Sequence, residues 1–378
     1  MMQRGTILIT GGTGYIASRL AEHCLSSSGL RVVLWVHADS EQEFARKRAL
    51  LAHRFEQFNG RVEICGGDLR QDEPFAAIDP ATINVVVHAA AVTRFNVEKE
   101  LAEQVNTRGS EKVFQFCSRC PNITRVAYLS TVYTSGLRDG AVEEDALDGR
   151  DGFANHYESS KWEAEAMLLG PFKHLPWQIF RVATVVADDD DGRVGQYNAV
   201  HNTLKLLYHG LLPVLPGKPG TPLYFVTGRF VAGAIFQLLQ NTDLRRIYHV
   251  SHTREESLSL GELIDTSFAT FSRNEAFTRR RVMRPLYTDQ KSFVRLAENV
   301  QGFGGAVMKQ AVASVTPFSR QLFLNKDVKN ARLVADLDVY RAPNQKRLFE
   351  NICEQLVRTG WGRDHTGTAR ELESIEAQ

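Results

Sequence analysis

The sequence predicts a doubly wound α/β fold, a parallel sheet covered by helices on both faces, joined to a smaller and mainly helical lobe. Three observations predict it. Short apolar runs recur through the first half of the chain, helical stretches separate them, and a glycine-rich turn follows the first run directly. Runs that are continuously apolar, not alternating, belong to strands buried on both faces.

The elements follow in order. TILIT (6–10) is the first strand, and GGTGYIASRLAEHCL turns and opens a helix. Gly11, Gly14 and Ala17 form GxxGxxA, whose small residues allow a tight turn and let the helix N-terminus approach a pyrophosphate. RVVLWV (31–36) is the second strand, and its end reads the 2′ group of a dinucleotide. His37 follows directly, Asp39 stands two residues on, and Arg46, Lys47 and Arg48 lie on the next helix, a basic set that favours NADP(H) over NAD(H). The same triplet also fits a solvated helix face. RVEIC (61–65) is third, with Asp68 and Leu69 of GGDL placed by the adenine; NVVVHA (84–89) is fourth, and HAAA (88–91) leaves room for the nicotinamide-side ribose.

RVAYLS (125–130) is the fifth strand and delivers Ser130 and Thr131 to its C-terminal end, where a parallel sheet places its chemistry. NHYESSKWEAEAMLL (155–169) is a helix with Tyr157 and Lys161 one turn apart on one face. An ammonium there favours the phenolate and lowers the tyrosine pKa, and a hydroxyl from Ser130 or Thr131 joins the phenol in holding a developing alkoxide. A snorkelling lysine beside a half-buried tyrosine is the plainer alternative for this pair. WQIFRV (177–182) is the sixth strand. Beyond 185 the alternation weakens and Gly and Pro cluster in GLLPVLPGKPGTP (210–222); RIYHVS (246–251) rejoins the sheet, and the chain is mainly helical from 255. The expected division is therefore 1–185 with 225–252 returning to it, a substrate lobe of 186–224 and 253–362, and a polar tail of 363–378.

The 378 residues carry 45 Lys and Arg against 44 Asp and Glu, a charge of +1, which excludes a basic nucleic-acid or membrane-surface protein. There is no 18-residue apolar stretch and no leader-like N-terminus, so a cytoplasmic protein without a membrane span is expected. Five cysteines make no disulfide framework, and the CxxC of Cys117 and Cys120 has no second pair or histidine at ligand spacing, so reduced core thiols are expected. Asp188 to Asp191 read as a solvated turn and no metal site is expected, because consecutive carboxylates cannot all face one ion. GFGGAVMKQAVASVTPF (302–318) fits a buried helix or a lid over an apolar chain, and His201, His209 and His252 carry no assigned role.

TGGTGYIA, GGDL, HAAA, NTRGS (106–110), YLSTVY and YESSKW, in this order and spacing, resemble the extended short-chain dehydrogenase/reductase family over residues 5 to about 185. Within it, YLST, NHYESSKWEAE and LWVHADSEQEFARKRAL are most similar to the thioester reductase and fatty acyl-CoA reductase branch. The resemblance implies a Rossmann domain. It implies that Thr131 and Tyr157 hydrogen-bond a carbonyl oxygen, that Tyr157 donates the proton, and that Lys161 grips the nicotinamide ribose while tuning Tyr157. The implied cofactor contacts are Thr10, Gly11, Thr13, Gly14, Tyr15, Ile16, His37, Arg48, Asp68, Leu69, Ala89, Ala90, Ala91, Asn106 and Lys161. The implied activity is NADPH-dependent reduction of an acyl-CoA or acyl carrier protein thioester to an aldehyde, with a second step to an alcohol possible. A homodimer through the helices near 98–118 and 153–169 is also implied. The chain departs from the branch at His37, where Arg is usual, at Val182 and Ala183, where Pro-Gly is common, and at Thr227, often Asp. Two other readings stand beside this one: a nucleotide-sugar epimerase/dehydratase or hydroxysteroid-like dehydrogenase, and a non-catalytic relative that keeps the dinucleotide only as a structural or sensing ligand.

Overall fold

Each of the seven runs forms a strand within two residues of its expected bounds; burial on both faces favours this for the six that are mainly buried, and the third, at the sheet edge, stays partly exposed. In the computed structural model, which describes residues 5–362 apart from 59 and 304, they are β1 (Thr6–Thr10), β2 (Arg31–His37), β3 (Val62–Gly67), β4 (Val85–His88), β5 (Arg125–Thr131), β6 (Trp177–Val182) and β7 (Arg246–Val250). They make one parallel sheet in the order β7-β6-β5-β4-β1-β2-β3. Strand order reverses between β1 and β4, and ligands of open α/β sheets bind outside the carboxyl ends at such a point.

The pleat sends alternate residues of β1 to opposite layers. Ile7 and Ile9 pack with Leu20 and Ala21 of α1 (Tyr15–Ser27), below Val231 and Ile235, while Leu8 packs with Trp35, Val113 and Leu168 on the other face. Ser40 caps α2 (Glu41–Arg54) by accepting from Glu43 N. On the second face lie α3 (Gly109–Arg119) and α4 (His156–Leu169), the latter capped by Asn155, whose side chain accepts from Glu158 N at 3.0 Å. The helix expected over 98–118 is not uniform. A short helix at Lys99–Ala102 runs into a π-helical turn at Glu103–Arg108 before α3 begins. The widened turn carries buried Asn106, whose amide takes up both backbone groups of Val92, accepting from N at 2.8 Å and donating to O at 3.0 Å, and donates to Ser160 Oγ at 3.0 Å.

A second apolar cluster is built from α5 (Ala199–Tyr208), α7 (Leu260–Phe271), α8 (Ala306–Val315) and α9 (Gln345–Arg358), with Leu204, Leu263, Phe271, Phe349 and Ile352 among its members, while α6 (Gly228–Leu238) packs in the first cluster. Four short strand pairs bind the surrounding loops, among them Thr184–Ala187 with Phe225–Thr227 and Gly140–Val142 with Lys326–Val328. Within 302–318, α8 buries Ala311, Val312 and Val315, the two valines within the second cluster, and a 3₁₀ turn follows from Thr316. No described helix is long and apolar enough to cross a membrane.

One expectation needs correction. Asp188 is not part of a solvated turn: its carboxylate accepts from Tyr15 Oη at 2.5 Å, pairs with Arg19 at 2.7 Å and accepts from Gly195 N at 3.2 Å, tying α1 to the lobe. Asp189 and Asp191 pair with arginines, Arg229 at 3.0 Å and Arg193 at 2.7 Å. The histidines are structural: His201 Nδ1 accepts from Asn198 N at 3.0 Å, His252 Nδ1 meets Tyr340 Oη at 2.9 Å, and His209 accepts from Arg280 at 2.8 Å. Thr227, where the branch often has Asp, caps α6 by accepting from Phe230 N. Cys117 and Cys120 are buried free thiols, and burial pushes both pKa values up.

Phe349 is fully buried with its ring 4.8 Å from that of Phe225. Phe349→Ala is expected to cost about 3–5 kcal/mol through lost burial and the cavity left behind, read as a lowered denaturant midpoint. An unchanged midpoint would show that this cluster does not unfold cooperatively.

Candidate active site

The glycine turn comes first because its geometry excludes side chains. Gly11 has φ +70°, and a Cβ there would lie 2.9 Å from Ala90 Cα, so the turn rests directly on the chain leaving β4. Gly14 N donates to Gly11 O at 2.7 Å, and α1 starts at Gly14 with no capping side chain, which leaves its first N–H groups to a ligand. Such a cradle fits a pyrophosphate. Thr10 locks it: Oγ1 accepts from Ala89 N and Ala90 N, both at 3.1 Å, and its own proton goes to His88 Nδ1 at 2.8 Å. His88 Nε2 then donates to Ser110 Oγ at 2.9 Å, and Ser110 donates to Asn106 O. This chain fixes the tautomer, and complete burial holds the His88 pKa well below its ordinary value, so the ring stays neutral. Thr13, Ile16 and Ala91 are half-buried.

At the adenosine end the structure brings together more than the sequence indicates. Arg70, absent from the sequence-derived set, sends Nη2 to Asp39 at 2.9 Å and to Asp68 at 2.7 Å, with His37 3.4 Å from Asp39. Lys47 is buried, donating to His37 O at 3.0 Å and pairing with Glu43 at 2.7 Å, so it supports the end of β2 and does not belong to a solvated face. Arg46 and Arg48 are exposed on α2. Leu69 is buried with its Cβ against Gly109, where a methyl group would lie 2.9 Å away. The ligand atoms of His37, Asp39 and Asp68 lie within 4.8 Å of one another, but the carboxylates already share the Arg70 guanidinium.

At the chemical end, the Thr131 hydroxyl lies near enough to the Tyr157 phenol to hold its pKa down against the rise that burial causes. Thr131 ends β5 and also accepts from Tyr133 N at 3.3 Å, while Tyr157 sits in the first turn of α4. Ser130 gives its proton elsewhere, to Glu165 Oε1 at 2.5 Å, so of the two hydroxyls Thr131 faces the phenol. Phe95 stands edge-on to Tyr157 and Tyr133 at 5.8 and 5.3 Å and lies 6.2 Å from Phe318, making an aromatic wall with a contribution from the far C-terminal part. That part is bound firmly: Gln321 donates to Glu158 Oε1 at 2.9 Å and to Gly136 O at 3.1 Å, and Lys326 donates to Gly136 O at 2.6 Å and Ser135 Oγ at 2.9 Å. Burial lifts Glu158 to about 7 despite these partners.

Lys161 departs from expectation. Its Nζ donates to Leu129 O at 2.6 Å and sits 4.1 Å over the Tyr128 ring, and burial brings its pKa down to about 7, with Glu165 opposing the fall. The phenol of Tyr157 is raised by burial, with the Thr131 bond as the group that lowers it. The sheet carbonyl thus holds the ammonium, and Thr131 is the group that lowers the phenol pKa.

Fold and site together define a dinucleotide-binding protein of the extended short-chain dehydrogenase/reductase type. The chain belongs to the male sterility protein family, whose model matches residues 9–235. It is 26% identical over 303 residues to a carboxylic acid reductase of Segniliparus rugosus, covering 69% of this chain and 25% of that protein. It is 25% identical over 165 residues to fatty acyl-CoA reductase 2, chloroplastic, of Arabidopsis thaliana, covering 38% of this chain and 27% of that protein. The chain thus spans about a quarter of each. The terminal R domain of the myxalamid PKS-NRPS pathway superposes with a TM-score of 0.73 at 18% identity, covering 94% of this chain and 91% of that one, a likeness of fold.

Gly11→Val adds a side chain where φ is positive and Ala90 blocks the space, a strain of about 1–3 kcal/mol. Dinucleotide binding, measured by fluorescence titration, is expected to weaken roughly tenfold or more. Unaltered affinity would show that this turn does not form the cradle.

Proposed function

We propose that this chain reduces an acyl thioester, carried by CoA or an acyl carrier protein, to an aldehyde with NADPH as reductant. One observation carries the reading: the Thr131 hydroxyl at the carboxyl end of β5 and the Tyr157 phenol in the first turn of α4 come together, one helical turn from Lys161. Bound in the cleft, the dihydronicotinamide supplies the hydride. Because burial raises the phenol pKa, Tyr157 is fully protonated at neutral pH, the form that donates to a carbonyl oxygen as it gains charge. Thr131 donates to the same oxygen, and the pair stabilises it in a site walled from water by Phe95, Tyr133 and Phe318. Collapse of the tetrahedral adduct expels the thiol and leaves the aldehyde.

The other residues hold the parts. The glycine turn takes the pyrophosphate, Lys161 takes the nicotinamide ribose, and Asn106 keeps Val92 and α4 in register. At the end of β2, Arg70 is the guanidinium that a 2′-phosphate would take, in competition with Asp39 and Asp68, which now hold it. The aromatic wall suits an apolar acyl chain, and the names of the relatives, carboxylic acid reductase and fatty acyl-CoA reductase, support an acyl substrate. The aldehyde presents a second carbonyl to the same pair, so alcohol is measured beside it.

Incubation with acyl-CoA and NADPH is expected to yield aldehyde or alcohol by chromatography. Tyr157→Phe should lower kcat by about 10²–10⁴ and Thr131→Ala by about 10², and full turnover in Tyr157→Phe would remove the mechanism. Arg70→Ala should raise KM for NADPH about tenfold and leave NADH unchanged; equal effects on both would remove the 2′-phosphate assignment.

A further inference from the structure

We propose that the buried Glu165–Arg181 ion pair is a positioning device for the site: it fixes the Ser130–Thr131 strand end to α4 and supplies the negative charge that faces the Lys161 ammonium. It rests on the assignment of Lys161 to the nicotinamide ribose.

Glu165 is 1% exposed and Arg181 fully buried. Arg181 grips the carboxylate with Nε at 3.0 and 3.1 Å and Nη2 at 2.7 Å. Ser130 Oγ donates to the same carboxylate at 2.5 Å. Thr134 Oγ1 shares its one proton between Glu165 Oε1 at 3.2 Å and the Thr131 carbonyl at 2.9 Å. Ser130, the residue before Thr131, and Thr134, three residues after it, are thus tied to one carboxylate on the helix that carries Tyr157. The far side of Arg181 is closed by His249, whose Nε2 accepts from Nη1 at 3.2 Å while Nδ1 donates to Lys329 O at 2.6 Å. Burial holds His249 neutral, at about 3, so it adds no charge.

Stability alone does not account for such a pair. Replacing a buried ion pair by apolar residues of similar volume is often neutral or stabilising, whereas leaving one charge unpaired is severely destabilising. Its placement does account for it. Glu165 follows Lys161 by four residues on α4, and it is the group that opposes the fall of the Lys161 pKa. The groups facing Lys161 are Tyr128 and the Leu129 carbonyl from β5, His88 from β4, and Tyr157 and Glu165 from its own helix. His88 is neutral and the tyrosines are protonated, so Glu165 is the one anion in that set.

The sign follows. An ammonium at Lys161 binds the ribose; its affinity is complete below the lysine pKa and lost as pH rises through it. Without Glu165 the pKa falls, so the loss begins at lower pH. The test titrates NADPH into the whole protein by fluorescence across pH, with thermal unfolding of every variant alongside. Glu165→Gln alone strands Arg181, so the main variant is Glu165→Gln with Arg181→Gln. It is expected to fold and to lose affinity with a midpoint about one pH unit below the parent's, while Glu165→Asp keeps the parental midpoint. Lys161→Met is the reference, since it removes this titration and retains His37. A double variant with the parental midpoint overturns the charge role and reduces the pair to packing. A parental pH profile in Lys161→Met overturns the ribose assignment instead, and neither outcome depends on thioester turnover.

Discussion

A cation buried against a sheet constrains everything around it. Lys161 is 3% exposed, and an ammonium withdrawn from water costs several kcal/mol unless its protons and charge are met. Here the Leu129 carbonyl, the Tyr128 ring and Glu165 meet them. Those partners lie on β5 and on α4 itself, so the helix has one acceptable rotation and height over the strand. That setting puts Tyr157, one turn earlier, against Thr131 at the strand's end.

The dinucleotide side is held by an equally specific but uncharged series. Thr10, His88, Ser110 and Asn106 pass hydrogen bonds from β1 through β4 to the π-helical turn, and Asn106 then reaches both Val92 and Ser160. One continuous polar path therefore joins the glycine turn to the helix bearing the phenol. Every member is buried and partnered, the condition under which such a path rigidifies a core and does not weaken it.

Much of this was legible in the sequence. The seven strands were readable because each is largely apolar, and the glycine turn and the helix face of Tyr157 were readable from spacing, whereas the choice of Thr131 over Ser130 came from the family resemblance. The unread parts depend on contacts between distant segments. Lys161 is drawn to a main-chain carbonyl, which no spacing rule reports, and Arg70 matters because it meets Asp39 from 31 residues away. The π-helical turn leaves no mark in hydrophobic spacing. Arg181 could have been found: an arginine inside the otherwise apolar WQIFRV demands a buried carboxylate, and Glu165 lies one turn past Lys161 on the face already singled out.

Glu158 receives Gln321, a residue 163 positions downstream, beside Lys326, which closes over the same loop. During synthesis this has a temporal meaning. The sheet strands up to β6 leave the ribosome well before their closing partners, and at typical elongation rates that carboxylate waits roughly ten to thirty seconds for its amide. Over that interval the nascent chain carries an acid at the mouth of a half-walled cleft, which water can solvate, and translation of the last segment seals it.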